Sequence, residues 1–194
     1  MIALVTGGAS SGKSAFAETL ALAFPGPHAY VATMKRGGAE AEARIEKHVR
    51  ARAGKGFDTV ELAGEPIEGG GDDGVFACPR PHDGGGSLRS AAAESLTRHH
   101  PRLLRLAGTV LVEDLSNLLL NGLEGALPEL LSCENAVVVT NEIGCDGVAY
   151  DEFTAEFIER LGALSCEVAA RADVVVEVVA GVPVVVKGEL PWAC

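Results

Sequence analysis

The chain has 194 residues, of which 47% are hydrophobic and 22% charged, and its net charge is −11. This length suits one domain with a sizeable core, so we expect residues 1–194 to form a single domain. The acidic balance argues against a general nucleic-acid binder, which needs a basic surface. The N-terminus has neither a basic start nor a cleavable apolar core, and no apolar run approaches the roughly 20 residues of a membrane span. We therefore expect a soluble, cytoplasmic protein.

Strand-like apolar runs alternate with segments of helical length, a pattern typical of βαβ units and a parallel sheet. In the first part of the chain we predict strands over 2–6, 29–33 and 57–62, and helices over 13–23 and 39–53. Further along we predict helices over 88–99 and from 101, strands over 109–112 and 136–140, and a mostly helical segment over 115–131. A long helix over 150–172 then precedes two closing strands, 174–179 and 184–187, around a turn at 180–183.

The segment 64–86 is rich in glycine and shows no periodicity. We interpret it as a flexible loop within the domain, because the strands on both sides need each other to complete a sheet.

A phosphate-binding motif follows the first strand and opens the first helix. The pattern G-x-x-x-x-G-K-[ST] is matched by Gly7, Gly8, Ala9, Ser10, Ser11, Gly12, Lys13 and Ser14. Backbone amides of such a loop converge on phosphate oxygens, Lys13 reaches the β and γ phosphates, and the Ser14 hydroxyl binds Mg²⁺. The sequence therefore predicts a P-loop nucleotide-binding fold of three layers, with a mainly parallel central sheet and a C-terminal antiparallel strand pair.

Polar residues stand at the ends of two later strands. Glu113 and Asp114 follow the strand 109–112, and Asn141 and Glu142 follow the strand 136–140. Ligands of open parallel sheets collect beyond the carboxyl ends of the strands, so we expect these side chains to face the nucleotide. A P-loop site needs one acid here for the metal ion. Strand alternation puts Glu113 and Asp114 on opposite sides, and the pattern leaves open which of them serves.

The helix predicted over 39–53 carries a histidine between two arginines. Arg44, His48 and Arg52 are spaced i, i+4 and i+8, so they share one helix face. Two guanidiniums attract a phosphate and favour the neutral, nucleophilic form of the imidazole between them. His48 is thus the candidate nucleophile for attack on a phosphate, and a solvated surface residue is the alternative interpretation.

Six segments follow one another along the chain: LVTGGASSGKS, YVATM, ARIEKHVRAR, VLVED, VVVTNEIG and AARADVVVEVVAGVPVVVKG. In this order they resemble one family, the bifunctional adenosylcobinamide kinase / adenosylcobinamide-phosphate guanylyltransferases of cobalamin biosynthesis. The resemblance implies phosphorylation of adenosylcobinamide with ATP or GTP. It further implies transfer of GMP from GTP, through a guanylylated histidine, to the cobinamide phosphate, which gives adenosylcobinamide-GDP.

The same resemblance assigns roles to individual residues. It implies that His48 carries the guanylyl group between Arg44 and Arg52, that Lys13 and Ser14 belong to the nucleotide cradle, and that Glu113 is the acid of the Mg²⁺ site. Asn141 and Glu142 are expected to face the bound ATP or GTP. The family likeness also implies a homo-oligomer, with a trimer as the expected size.

Two other functions are compatible with the motifs. One is a P-loop kinase of another small hydroxylated metabolite, in which His48 acts only through its charge environment. The other is a nucleotide-binding regulatory protein without catalysis. A GTPase switch is less favoured, because the chain lacks an Asn-Lys-x-Asp guanine-binding motif.

Overall fold

A computed structural model describes residues 1–34, 43, 46, 50, 54–61 and 107–192. The predicted loop 64–86 and the predicted helices over 88–99 and from 101 lie outside the described residues. Of the helix predicted over 39–53, only Ala43, Glu46 and Arg50 are described, and all three are helical.

A seven-stranded sheet forms the centre of the described structure, with the strand order β3-β2-β4-β5-β1-β6-β7. Its strands are β1 (Ile2–Thr6), β2 (His28–Ala32), β3 (Phe57–Glu61), β4 (Thr109–Val112), β5 (Asn135–Val139), β6 (Val174–Val179) and β7 (Val182–Lys187). All neighbouring strands run parallel except β6 and β7, which form an antiparallel pair. The predicted mainly parallel sheet with a C-terminal antiparallel pair is therefore confirmed.

Continuous apolar runs explain why the central strands are buried on both faces. Every residue of β4 and β5 is buried, as parallel strands covered by helices on both sides require. Alternate residues point to opposite faces of the sheet, and two separate core clusters result. In β1, Leu4 belongs to one cluster, and Ala3 and Val5 to the other.

The helices form the two outer layers. In the described part of the chain, the helices with defined bounds are α1 (Lys13–Leu22), α2 (Leu115–Leu120), α3 (Leu127–Leu130) and α4 (Glu152–Arg171), with a short 3-10 turn at Glu124–Ala126. Ala17, Leu20 and Ala21 of α1 pack in the core cluster that contains Val5, whereas α2, α3 and α4 contribute to the cluster that contains Leu4. These layers confirm the predicted α/β architecture.

Helix ends follow local chemistry. The carboxylate of Asp151 accepts a hydrogen bond from the Thr154 amide, so α4 begins at Glu152 instead of the predicted 150. Helix α2 ends at Leu120 because Gly122 adopts a φ of 66°, and the Leu123 amide bonds back to the Leu118 carbonyl. Gly122 thus interrupts the segment 115–131, which was predicted to be mostly helical.

The closing hairpin differs from its prediction. We expected a turn over 180–183, but only Ala180 and Gly181 connect β6 to β7, with φ values of 49° and 84°. A two-residue hairpin loop with positive φ at both positions matches the twist of the strands, so Val182 and Pro183 belong to β7. Pro183 is tolerated because β7 is an edge strand.

Core packing of α1 generates a first prediction. Leu20 is 0% exposed and Leu22 is 38% exposed on the same helix. Leu20→Ala should lower the free energy of unfolding by about 2–5 kcal/mol, because it removes buried methyl groups and leaves a cavity. The matched change Leu22→Ala should cost about 0.5 kcal/mol or less. Urea unfolding of both variants measures the difference, and equal losses would contradict this packing.

Candidate active site

The segment from Gly7 to Gly12 forms a loop between β1 and α1. Gly7 has a φ of 148° and Gly12 a φ of 92°, conformations that side-chain-bearing residues rarely adopt. Gly12 is also the N-cap of α1 and has no side chain that could bond the first amides of the helix. Those amides and the positive end of the helix dipole are therefore available to an anion.

Lys13 lies across this loop. Its side chain is buried, with 7% exposure, and Nζ donates a hydrogen bond to the Gly8 carbonyl oxygen at 3.0 Å. Burial lowers the pKa of Lys13, and the negative charges of Asp114 and Glu142 act in the opposite direction. The ammonium group is thus held by the backbone of the loop, within the electrostatic influence of two carboxylates.

Two hydroxyl groups of the loop differ in their surroundings. The Ser11 Oγ atom is buried and has no hydrogen-bond partner among the described residues, whereas Ser14 is exposed in the first turn of α1. A buried hydroxyl without a partner is costly, and a ligand oxygen would satisfy it. The loop is therefore complementary to a ligand with several oxygen acceptors.

The closing hairpin supports the loop from the side. The Gly181 amide donates to the Ser11 carbonyl at 2.7 Å. A Cβ atom at Gly12 would lie 3.3 Å from the Cα atom of Gly181. A Cβ atom at Gly7 would lie 2.5 Å from the Val178 carbonyl oxygen of β6. Glycine at position 7 is therefore required by close packing as well as by its φ angle.

A polar network joins the ends of β4 and β5. Asn141 Nδ2 donates to Asp114 Oδ2 at 2.5 Å and lies 3.2 Å from Ser116 Oγ. Ser116 in turn donates to Asp114 Oδ1 from its hydroxyl at 2.6 Å and from its amide at 2.8 Å. Burial raises the pKa of Asp114, while its hydrogen bonds to Ser116, the charge of Lys13 and the Asn141 amide lower it.

Glu142 connects the same strand end to the loop. Its amide donates to the Gly7 carbonyl at 3.2 Å, and its Oε1 accepts a hydrogen bond from Thr6 Oγ1 at 3.3 Å. The structure thus brings Lys13, Asp114, Asn141 and Glu142 together at the carboxyl edge of the sheet. This edge resembles a site for phosphoryl transfer, in which one cation and an acid act next to converging amides.

Comparison with known proteins identifies the family. The family model described as "Cobinamide kinase / cobinamide phosphate guanyltransferase" matches residues 3–67 and 102–186. The chain belongs to this family. It is also 32% identical over 200 residues to the bifunctional adenosylcobalamin biosynthesis protein CobP of Pseudomonas aeruginosa, covering 96% of this chain and 97% of that protein.

The family match covers every part of the site. It includes the loop Gly7–Ser14 and both strand ends, and it also includes the basic segment around His48. The chain is thus a cobinamide kinase and cobinamide phosphate guanyltransferase, which confirms the functional prediction at this level.

The residues predicted for guanylyl transfer lie outside the described part of the chain. His48, Arg44 and Arg52 stay predictions for this reason. Next to them, Arg50 Nη2 forms an exposed ion pair with Glu46 Oε2 at 2.7 Å, spaced i, i+4 in a helix. This pair is consistent with the helix predicted over 39–53.

Two neighbouring residues, Glu113 and Asp114, are candidates for the carboxylate that binds the metal ion. Glu113, to which the resemblance assigned the Mg²⁺, is buried at the end of β4, and its amide donates to the Val31 carbonyl at 3.2 Å. The assignment of Glu113 stays a prediction. Asp114 is the acid whose charge acts on Lys13, and it also caps α2.

One residue of the network, Ser116, was not predicted from the sequence. The signal was available, because Asp114 precedes an apolar helical run and its side chain is expected to bond the amide of position 116 as an N-cap. Thr6 was also missed, and its position as the last residue of a buried strand gave no comparable signal.

Close packing at Gly7 gives a second prediction. Gly7→Ala should lower the melting temperature by several degrees and weaken nucleotide binding, because the new Cβ meets a backbone carbonyl that belongs to the sheet. Gly8→Ala is the control, since nothing lies within 4 Å of a Cβ there. Thermal unfolding with and without ATP measures both variants. Equal melting temperatures for the two variants would refute this account of Gly7.

Proposed function

We propose that the motif 7–14, which is the loop and the first two residues of α1, holds the nucleoside triphosphate, ATP or GTP, for both reactions of the family. The observation that carries this proposal is the position of Lys13, whose ammonium lies within the loop and under the influence of Asp114 and Glu142. When a triphosphate binds, Nζ exchanges its bond to the Gly8 carbonyl for phosphate oxygens. Charge on the transferred phosphoryl group is then neutralised by Lys13 and by the loop amides.

In the first reaction, the hydroxyl of adenosylcobinamide attacks the γ-phosphorus. A new P–O bond forms, the bond from the γ-phosphorus to the bridging oxygen breaks, the nucleoside diphosphate leaves, and the proton of the hydroxyl passes to water. The protein contributes mainly alignment and charge neutralisation, which are the dominant requirements of phosphoryl transfer.

Mg²⁺ fits the donors that the structure offers. The exposed Ser14 hydroxyl and the strand-end carboxylates of Glu113 and Asp114 are hard oxygen ligands, as Mg²⁺ prefers. Among the described residues, no cluster of three or more His, Cys, Asp or Glu could hold a metal ion alone. This suits a metal that takes most of its ligands from phosphates and water. When bound, Mg²⁺ neutralises phosphate charge.

For the second reaction, we assign the nucleophile to His48. A ring nitrogen attacks the α-phosphorus of GTP, an N–P bond forms, and pyrophosphate leaves. A phosphate oxygen of the cobinamide phosphate then attacks the same phosphorus and displaces the imidazole, which gives adenosylcobinamide-GDP. The spacing of Arg44, His48 and Arg52 on one helix face supports this role, because both guanidiniums neutralise the transferred group.

A labelling experiment tests this assignment. Incubation with α-labelled GTP and Mg²⁺, followed by denaturation, should leave an acid-labile, base-stable label on the protein. His48→Ala should abolish the label but spare phosphorylation of adenosylcobinamide. His100→Ala is the matched control, a histidine to which the sequence assigns no role. A label that persists in His48→Ala would place the nucleophile elsewhere.

The same proposal predicts the effect of removing the loop lysine. Lys13→Ala should abolish cobinamide phosphorylation and reduce GTP labelling by at least about 100-fold, because the main cation of the phosphate site is lost. Lys55→Ala is a suitable control, since that lysine pairs with Glu18 away from the loop. Normal phosphorylation by Lys13→Ala would show that the triphosphate binds at another site.

The proposal extends to the organisation of the protein. We assign residues 1–194 to one domain with 64–86 as a loop, because the family match continues on both sides of that segment. The substrates are small molecules, and no helix among the described residues is long and apolar enough to cross a bilayer. A cytoplasmic location, where ATP and GTP are available, is part of the proposal.

We further propose a homo-oligomer, with a trimer as its size. The support is β7, an edge strand on which Val182 is 61% exposed and Val186 is 63% exposed. An uncovered apolar edge strand promotes association. Val186→Lys should therefore reduce the molar mass measured by light scattering, whereas Leu22→Ala should not. Identical masses for wild type and Val186→Lys would show that β7 is not the contact between copies of the chain.

A further inference from the structure

Asn141 occupies the junction between two strand ends. It follows β5, Asp114 follows β4, and the two strands are parallel neighbours with Val112 opposite Val138. The amide nitrogen of Asn141 bonds Asp114 Oδ2 at 2.5 Å and approaches Ser116 Oγ at 3.2 Å. Ser116 Oγ bonds the other carboxylate oxygen at 2.6 Å, which closes a triangle of three side chains.

This triangle fixes the Asp114 carboxylate. Both of its oxygens accept hydrogen bonds, one from Asn141 and the other from Ser116. Hydrogen bonds to an ionised group are stronger than those between neutral groups, and a buried carboxylate that receives several has little freedom to rotate. The direction in which Asp114 presents its charge to Lys13 therefore depends on Asn141.

The next residue ties this arrangement to the phosphate loop. The Glu142 amide donates to the Gly7 carbonyl at 3.2 Å, so the backbone next to Asn141 is hydrogen-bonded to the first residue of the loop. A single dipeptide thereby sets the distance between the loop that holds phosphate and the acid at the end of β4.

We propose that Asn141 is a positioning residue of the kinase site, which acts on the reaction through Asp114 and not through a contact with nucleotide. The inference rests on the proposed function of the motif 7–14. It changes the role expected for Asn141 from the sequence, because the amide nitrogen is already engaged by Asp114 and Ser116. Without the amide, the carboxylate keeps its bonds to Ser116 at Oδ1 but loses its bond at Oδ2, so the direction of its charge is no longer fixed from both sides.

The chain offers a matched control for this role. Asn135 lies at the opposite end of β5, is 7% exposed, and donates from its amide to the Gly108 carbonyl at 2.9 Å. Asn135→Ala thus removes a comparable buried hydrogen bond from the same strand, far from the carboxyl edge. Both alanine variants should lose melting temperature to a similar extent.

The experiment measures cobinamide phosphorylation by wild type, Asn141→Ala, Asn135→Ala and Lys13→Ala, together with melting temperature and the dissociation constant of ATP. Asn141→Ala should lower kcat by about 10–100-fold, because residues that orient a catalytic group have effects of this size. The dissociation constant of ATP should change by less than about 3-fold. Asn135→Ala should keep kcat near the wild-type value.

The exchange Asp114→Asn with Asn141→Asp in one chain separates orientation from stability. It restores a carboxylate–amide pair but moves the charge to the end of β5. We expect the melting temperature to recover and kcat to stay low. Recovery of kcat, or equal kcat in the two alanine variants, would overturn the positioning role. Activity in Lys13→Ala would instead refute the proposed site, and the role of Asn141 with it.

Discussion

The parallel alignment of β4, β5 and β1 is the constraint on which the site depends. Val5 pairs with Val139, and Val112 pairs with Val138, so these strands end at the same edge of the sheet. The residues that follow them therefore emerge within hydrogen-bonding distance of one another. A shift of β5 by one residue would turn Asn141 to the other face and remove its bond to Asp114.

Burial at this edge shifts the pKa values of its two charged groups in opposite directions. It lowers the pKa of Lys13 and raises the pKa of Asp114, so burial alone disfavours both charged forms. Their mutual attraction and the hydrogen bonds from Ser116 and Asn141 offset part of that cost. In such a partly desolvated place, charges act on a neighbouring phosphate more strongly than in water.

The net negative charge of the chain does not favour binding of a triphosphate, which is itself an anion. Residues 109–194 carry 3 basic and 15 acidic side chains, and the whole chain has a net charge of −11. In the proposed phosphate site, attraction is assigned to oriented amides, the N-terminus of α1 and Lys13. Such local dipoles act at short range, so they discriminate a phosphate seated in the loop from anions in general.

The sequence by itself determined the α/β class and the place of the glycine-rich loop before α1, because both depend on neighbours in the chain. The motif that marks the loop is a run of eight residues, and continuous apolar segments predicted most described strands to within a residue or two. Tertiary structure decided the rest. It showed that Asp114 is the acid that bonds Asn141, since strand alternation separates Asp114 from Glu113 without telling which of them turns to that side. It also showed why Gly7 is required, because the obstructing carbonyl of Val178 belongs to a strand far away in sequence.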